Sequence, residues 1–175
     1  MDKRVGALLL SGLIASSLYG AEITESQKFI GVDIAVTEVQ GDGPSEFSKN
    51  LSNGTSFGFH VGAENEKWRT TVGLQYFDAE GRNVEKLYGL IDYFFLSNQM
   101  TDSLIIKPYM GINIGYANYE SNEFDENGFL YGGQGGVVLD LTEELTLDAS
   151  YRYSLSSALV FDHSQDIVFG FNYKY

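Results

Sequence analysis

The sequence predicts an all-β fold: an eight-stranded antiparallel up-and-down transmembrane β-barrel, preceded by a cleaved signal peptide. Three observations predict it. The first is the final stretch, Asp166 to Tyr175, D-I-V-F-G-F-N-Y-K-Y. Ile167, Phe169, Phe171, Tyr173 and Tyr175 alternate with Asp166, Val168, Gly170, Asn172 and Lys174, which gives a strand one aromatic face and one small or polar face. The second is that the same split recurs along the chain in segments of about ten residues, the length a tilted strand needs to cross a bilayer. The third is that aromatic side chains gather at the ends of those segments, as they do at membrane interfaces.

The bulk composition agrees with this class. Aromatics make up 14% of the 175 residues and Gly numbers 20, against only 2 Pro, which suits a closely packed sheet. Mean hydropathy is slightly negative. That value points to a soluble protein only if alternation is ignored, because barrel strands average their two faces. Cysteine is absent, so disulfide frameworks, thiolate chemistry and an ordinary lipoprotein anchor are excluded. The formal charge of −13 disfavours nucleic acid as a partner, since an acidic surface repels phosphate.

Residues 1–20 read as a secretory signal peptide: Lys3 and Arg4, then a mostly apolar run from Val5 to Leu18, then small Gly20 before Ala21. The run is too short for a spanning helix, which needs about 20 apolar residues. The barrel domain is then 21–175.

The first strand, about Phe29 to Thr37, sets Ile30, Val32, Ile34 and Val36 against Gly31, Asp33, Ala35 and Thr37. A polar connection at 40–53 follows, rich in turn residues. The second, Thr55 to Ala63, carries Phe57, Phe59 and Val61 opposite Ser56, Gly58 and His60. After a turn at Glu64–Lys67, the third runs from Trp68 to Phe77, with Trp68, Val72, Leu74 and Tyr76 outward and Phe77 breaking the pattern. The fourth, Val84 to Leu96, puts Leu87, Ile91, Tyr93 and Phe95 on one face, while Lys86, Tyr88, Leu90, Asp92 and Phe94 blur the other. A polar turn at Ser97–Ser103 leads to the fifth, Leu104 to Ala117, where Pro108 belongs near a strand end or bulge. An acidic connection at 118–127 precedes the glycine-rich sixth, Gly128 to Asp140. The seventh, Leu145 to Leu155, and a connection at 156–165 complete the run to the final strand.

Two aromatic girdles follow from these segments. Phe57, Tyr76, Tyr116, Phe129, Tyr131 and Tyr153 fall near the long connections, and Trp68, Tyr93, Phe95, Tyr173 and Tyr175 near the short turns. The opposite face carries Asp33, Arg69, Lys86, Asp92, Lys107, Asp140, Asp148, Arg152 and Lys174. In a barrel this narrow such charges must pair with one another, because an unpaired buried charge is costly.

P-Y-M-G-I-N-I-G-Y at 108–116 and G-F-L-Y-G-G-Q-G-G-V-V-L-D-L-T-E-E-L-T-L-D-A-S-Y-R-Y at 128–153 resemble the small eight-stranded outer-membrane barrels, the group of OmpX and the OmpA transmembrane domain. The closing F-G-F-N-Y-K-Y is similar to their terminal signal, although most of them end in Phe and this chain ends in Tyr. The resemblance implies the bacterial outer membrane, both termini periplasmic, contact with outer-membrane lipid including lipopolysaccharide, and recognition of Phe171, Tyr173 and Tyr175 by the barrel-assembly machinery. It leaves function open, because one fold hosts many activities. The expected role is non-enzymatic, structural or surface-interacting, with connections 40–53, 118–127 and 156–165 available to an extracellular ligand. A small ion-conducting pore and a lipid-modifying enzyme are the alternatives.

No cofactor, metal or catalytic residue is expected. His163 and Ser164 are neighbours in sequence, so on a strand they face opposite sides, and they do not match the H-x-S spacing of the lipid A deacylase barrels. His60 reads as an interior polar residue. Gly132–Gly136 lacks the following helix and Lys-Ser/Thr of a phosphate loop and reads as close wall packing. Glu120, Glu123, Asp125 and Glu126 fit no calcium-loop spacing and read as a solvated connection.

Overall fold

The structure is a computed structural model that describes residues 26–41, 52–79, 82–95, 98–101, 104–121, 125–158 and 161–175. The expected signal peptide lies outside the described residues, as do 42–51, 122–124 and 159–160 of the three expected loops. The described residues form nine strands: β1 Gln27–Gly41, β2 Ser52–Glu64, β3 Trp68–Ala79, β4 Arg82–Phe94, β5 Asn98–Thr101, β6 Leu104–Ser121, β7 Asp125–Asp140, β8 Leu145–Ser156 and β9 Phe161–Lys174.

Eight of them form one closed antiparallel wall. Neighbours in sequence pair in turn, β4 pairs with β6, and β1 closes on β9. Four-residue β5 lies outside the wall and pairs only with the start of β6. The register fixes the shear. Pairing leads from Ile30 through Val61, Val72, Gly89, Ile114, Tyr131, Leu155 and His163, and returns to β1 at Gln40, ten residues on. Eight strands with a shear of ten tilt by about 41° around a cylinder of about 8 Å radius. Such a lumen holds side chains and little else.

Alternation then sorts every strand into two environments. The outer face is apolar over a continuous belt, with Ile112 60% exposed and Val32, Ile34, Phe59, Leu74, Ile114, Ile167 and Phe169 similarly open. A belt this large is far beyond the apolar patch that a water-soluble monomer exposes. Closed pairing leaves no wall strand with an unsatisfied edge in hydrocarbon. The chain is therefore a transmembrane barrel. The girdle residues sit on this outer face at two levels, about 20 Å apart along the axis for a rise of 3.3 Å per residue at that tilt. Trp68 packs on Tyr93 at 4.9 Å between ring centroids and Tyr93 on Phe95 at 5.8 Å, at the end that holds Gln27 and Tyr175. Tyr116 packs on Phe129 at 5.6 Å at the other, hairpin end.

The strands run further than the sequence pattern suggested at the hairpin end. The 118–127 segment is mostly paired, with Asn118 opposite Asn127, Tyr119 opposite Glu126 and Glu120 opposite Asp125. Likewise β1 continues to Gly41, β8 to Ser156, and β9 begins at Phe161, so His163 and Ser164 are strand residues. Beyond the apolar belt a strand can be polar on its outer face, and polarity alone then mimics a loop. The Ser97–Ser103 turn likewise contains β5. Phe77 is no exception to the alternation, because it points inward with Val39, Val84, Ala117, Tyr119 and Leu130 into a buried apolar cluster at the hairpin end. Pro108 lies within β6 where the β4–β6 ladder ends: its carbonyl accepts from Phe95 N–H at 3.1 Å, but it has no N–H to return, and Phe94 with Tyr109 is the last full pair.

Candidate functional site: the plugged lumen

The inward faces stack into layers. At the terminal end Lys107 and Lys174 alternate with Glu64 and Asp140 in a four-membered ring. Lys107 Nζ lies 2.8 Å from Glu64 Oε1 and 3.1 Å from Asp140 Oδ2, and Lys174 Nζ lies 2.7 Å from Glu64 Oε1 and 2.9 Å from Asp140 Oδ1. This ring lines a blind vestibule of about 640 Å³ that opens at that end. Its apolar floor is Phe94, backed by Tyr109 and Val138 in one buried cluster.

The middle layer is built around Arg69. Its guanidinium donates to Asp92 Oδ2 from Nε at 3.0 Å and to Asp148 Oδ2 from Nη1 at 2.6 Å, and it covers the Tyr109 ring at 4.3 Å. Tyr109 donates to Asp148 Oδ1 at 2.9 Å, and Gln134 Nε2 donates to Asp92 Oδ1 at 2.6 Å. Arg152 Nε donates to Gln134 Oε1 at 3.0 Å and its guanidinium stacks on Tyr88 at 4.4 Å. Beside it Asp33 Oδ2 accepts from Tyr88 at 3.0 Å and contacts His60 Nδ1 at 2.9 Å, while His60 Nε2 meets the Asn172 amide at 2.6 Å. The void among these groups is about 30 Å³, room for a water or two.

Above that, Lys86 Nζ contacts Asp166 Oδ2 at 3.1 Å and Ser164 Oγ at 3.0 Å. Thr37 donates to Asp166 Oδ1 at 2.6 Å. This fixes the direction of the chain behind it: Ser56 donates to Thr37 at 2.7 Å, and Gln75 Nε2 to Ser56 at 2.6 Å. The apolar cluster of Val39, Phe77 and Val84 closes the stack at the hairpin end.

Glycine makes room for these charges. Asp33 lies across its register partner Gly58, and Asp92 across its partner Gly111. A Cβ at either glycine would collide with the carboxylate.

All nine charged residues expected on the inner face point into the lumen, and the structure brings them together in three separate sets rather than one network. The sequence reading missed Glu64, assigned to a turn, and Asp166, left out although it shares the parity of Asn172 and Lys174. Parity sets Tyr88 beside Lys86 and Asp92 and Tyr109 beside Lys107, on the inner face where the structure has them, but it gives neither hydroxyl a partner. Counting parity back from Lys174 was the available signal for Asp166. For the partner of the Tyr109 hydroxyl there was none, since Asp148 is 39 residues away in sequence. Ser164 is buried against Lys86 while His163 is on the outer face, so the two form no dyad.

No family model and no curated protein matches this chain. Solved structures do. Neisserial surface protein A aligns with a TM-score of 0.67 at 17% identity, over 85% of this chain and 97% of its own. Outer membrane protein H (OprH) of Pseudomonas aeruginosa aligns at 0.60 and 18%, over 85% and 99%. The N-terminal β-barrel domain of P. aeruginosa OprF aligns at 0.53 and 13%, over 83% and 97%. At these identities the likeness concerns architecture: the chain has the fold of the small eight-stranded outer-membrane β-barrels.

Proposed function

We propose that this protein is a bacterial outer-membrane barrel with both termini in the periplasm, non-conducting and non-enzymatic, whose rigid body anchors a surface-interaction role at the hairpin end. The observation that carries the reading is the lumen, in which ion-paired layers lie between the Phe94–Tyr109–Val138 floor and the Val39–Phe77–Val84 cap. An ion crossing it would have to separate buried pairs and pass two apolar constrictions, each a large barrier in a low-dielectric interior. With the interior spent on self-pairing, recognition falls to the connections 42–51, 122–124 and 157–160 and the hairpin stems beside them. At the other end Phe171, Tyr173 and Tyr175 present an outward aromatic row, the form in which the assembly machinery would read the last strand.

The test is twofold. Purified barrel in planar bilayers gives no discrete conductance. Stepwise currents that change when Arg152 or Asp148 is neutralised would establish the pore instead. Replacing 42–51 or 157–160 with short Gly-Ser connections leaves the heat-modifiable barrel intact and abolishes attachment to surface ligands. Lipid mass spectra that change on overexpression of the barrel would replace the non-enzymatic reading with an enzymatic one.

A further inference from the structure

The outer face carries a connected set of polar side chains at one seam. Along the β8–β9 seam a directed chain of hydrogen bonds climbs toward the hairpin end. Tyr151 donates to Gln165 Oε1 at 2.7 Å, Gln165 Nε2 approaches His163 Nε2 at 3.5 Å, and His163 Nδ1 donates to Asp162 Oδ2 at 2.7 Å. The Tyr153 ring packs against the His163 ring at 5.2 Å. These groups are on the membrane face, with Tyr151 48% exposed, the His163 side chain 13% exposed and Tyr153 and Gln165 half-buried. Directly below, the register sets Tyr153 beside Gly133 and Tyr151 beside Gly135. Gly132 and Gly136 of the same run face inward, where a Cβ would strike the β8 backbone. At Gly133 and Gly135 a Cβ would meet only a backbone carbonyl oxygen, at 3.4 and 3.7 Å, and no side chain. The wall is therefore bare along a strip between the Met110–Ile112 ridge of β6 and the two tyrosines.

We propose that this face binds a single glycolipid of the leaflet at the hairpin end, with its sugar ring against Tyr153, His163 and Gln165 and one acyl chain along the Gly133–Gly135 strip. The inference rests on the membrane reading above and adds a ligand class and a location to it. The chemistry selects the headgroup. Aromatic ring faces beside amide and carboxylate acceptors suit a ring that carries several hydroxyl donors. A bare phosphate is disfavoured by the Asp162 carboxylate, which is 47% exposed, and by Glu38, paired with Gln165 across the β1–β9 seam. The position selects the ligand: amphipathic aromatics at this level sit where headgroups meet acyl chains.

Native mass spectrometry of the refolded full-length barrel, after exchange into micelles that contain defined lipids, tests this. The probes are glucosyl-diacylglycerol, phosphatidylglycerol and phosphatidylethanolamine with the same acyl chains. The glucosyl lipid is retained at one per barrel, about tenfold over the phospholipids. Tyr151→Phe, which deletes one hydroxyl and leaves the packing, reduces that preference. His163→Ala with Gln165→Ala abolishes it, and Gly135→Val lowers retention of all three lipids by filling the strip. Glu85→Ala, on β4, changes nothing. Equal retention of the three lipids, or a preference untouched by His163→Ala with Gln165→Ala, overturns the site while the barrel stands. A chain that gains no protease protection in vesicles overturns the membrane reading and the site together.

Discussion

Removing the Arg69 guanidinium is the sharpest test of how the lumen is held together. Arg69 is 5% exposed and is the only cation within salt-bridge distance of Asp92 and Asp148 among the described residues. Arg69→Met keeps much of the stem and deletes the charge. Asp92, fully buried, is then left with Gln134, and Asp148 with Tyr109. Removing one partner of a buried pair costs about 3–5 kcal/mol. With a slope of about 2 kcal/mol per molar urea, a loss of about 4 kcal/mol lowers the unfolding midpoint by about 2 M. The assay is equilibrium unfolding in lipid vesicles, followed by the fluorescence of Trp68, the single tryptophan. The compensated variant Arg69→Met, Asp92→Asn, Asp148→Asn removes the stranded charges along with the cation and recovers most of the loss. If Arg69→Met lies within about 0.5 kcal/mol of the wild type, or the triple variant is no better than the single one, pairing is not what holds the lumen.

Further tests bear on separate parts of the structure. Phe77→Ala opens the apolar cap and costs about 3–5 kcal/mol by the same unfolding assay, yet the variant stays silent in planar bilayers because the Lys86–Asp166 layer beneath it remains. Gly111→Val drives a side chain into Asp92 and prevents the compact form, seen as loss of heat-modifiable migration, whereas outward Gly89→Ala, with its nearest neighbour at 3.9 Å, is tolerated. Trp68, half exposed on the terminal-end girdle, emits at short wavelength and is quenched by brominated lipid. Strong quenching by aqueous iodide would place it in water and contradict the girdle. Tyr175→Ser lowers the amount of barrel assembled in cells several-fold and leaves refolding into detergent unchanged. Equal assembly would separate the last residue from the assembly signal.

How much of this was legible depends on the range of the interaction involved. Alternation is local, so the outward set from Ile30 to Tyr175 and the inward set from Asp33 to Lys174 follow from parity alone. Strand ends were less legible. Asn118, Glu120 and Asn127 are strand residues whose outer face lies beyond the apolar belt, and a polar strand in polar surroundings has the composition of a loop. The blurred fourth strand has a similar cause. Tyr88, Leu90 and Phe94 are apolar and inward, filling the lumen beside the charges, so β4 shows little contrast between its faces.

By itself the sequence determined the class: the span length, the two girdles, the eight alternating segments and the identity of most inward charges. Each of these is a property of residues two or ten positions apart. Only the tertiary structure decided the shear of ten, the division of the charges into a terminal ring, an Arg69 layer and a Lys86 layer, and the apolar floor and cap that enclose the two inner layers. It also placed Tyr151, Gln165 and His163 in one seam above a bare strip. Those facts depend on which residues closure brings face to face across the barrel, and closure sets a register that no single strand encodes.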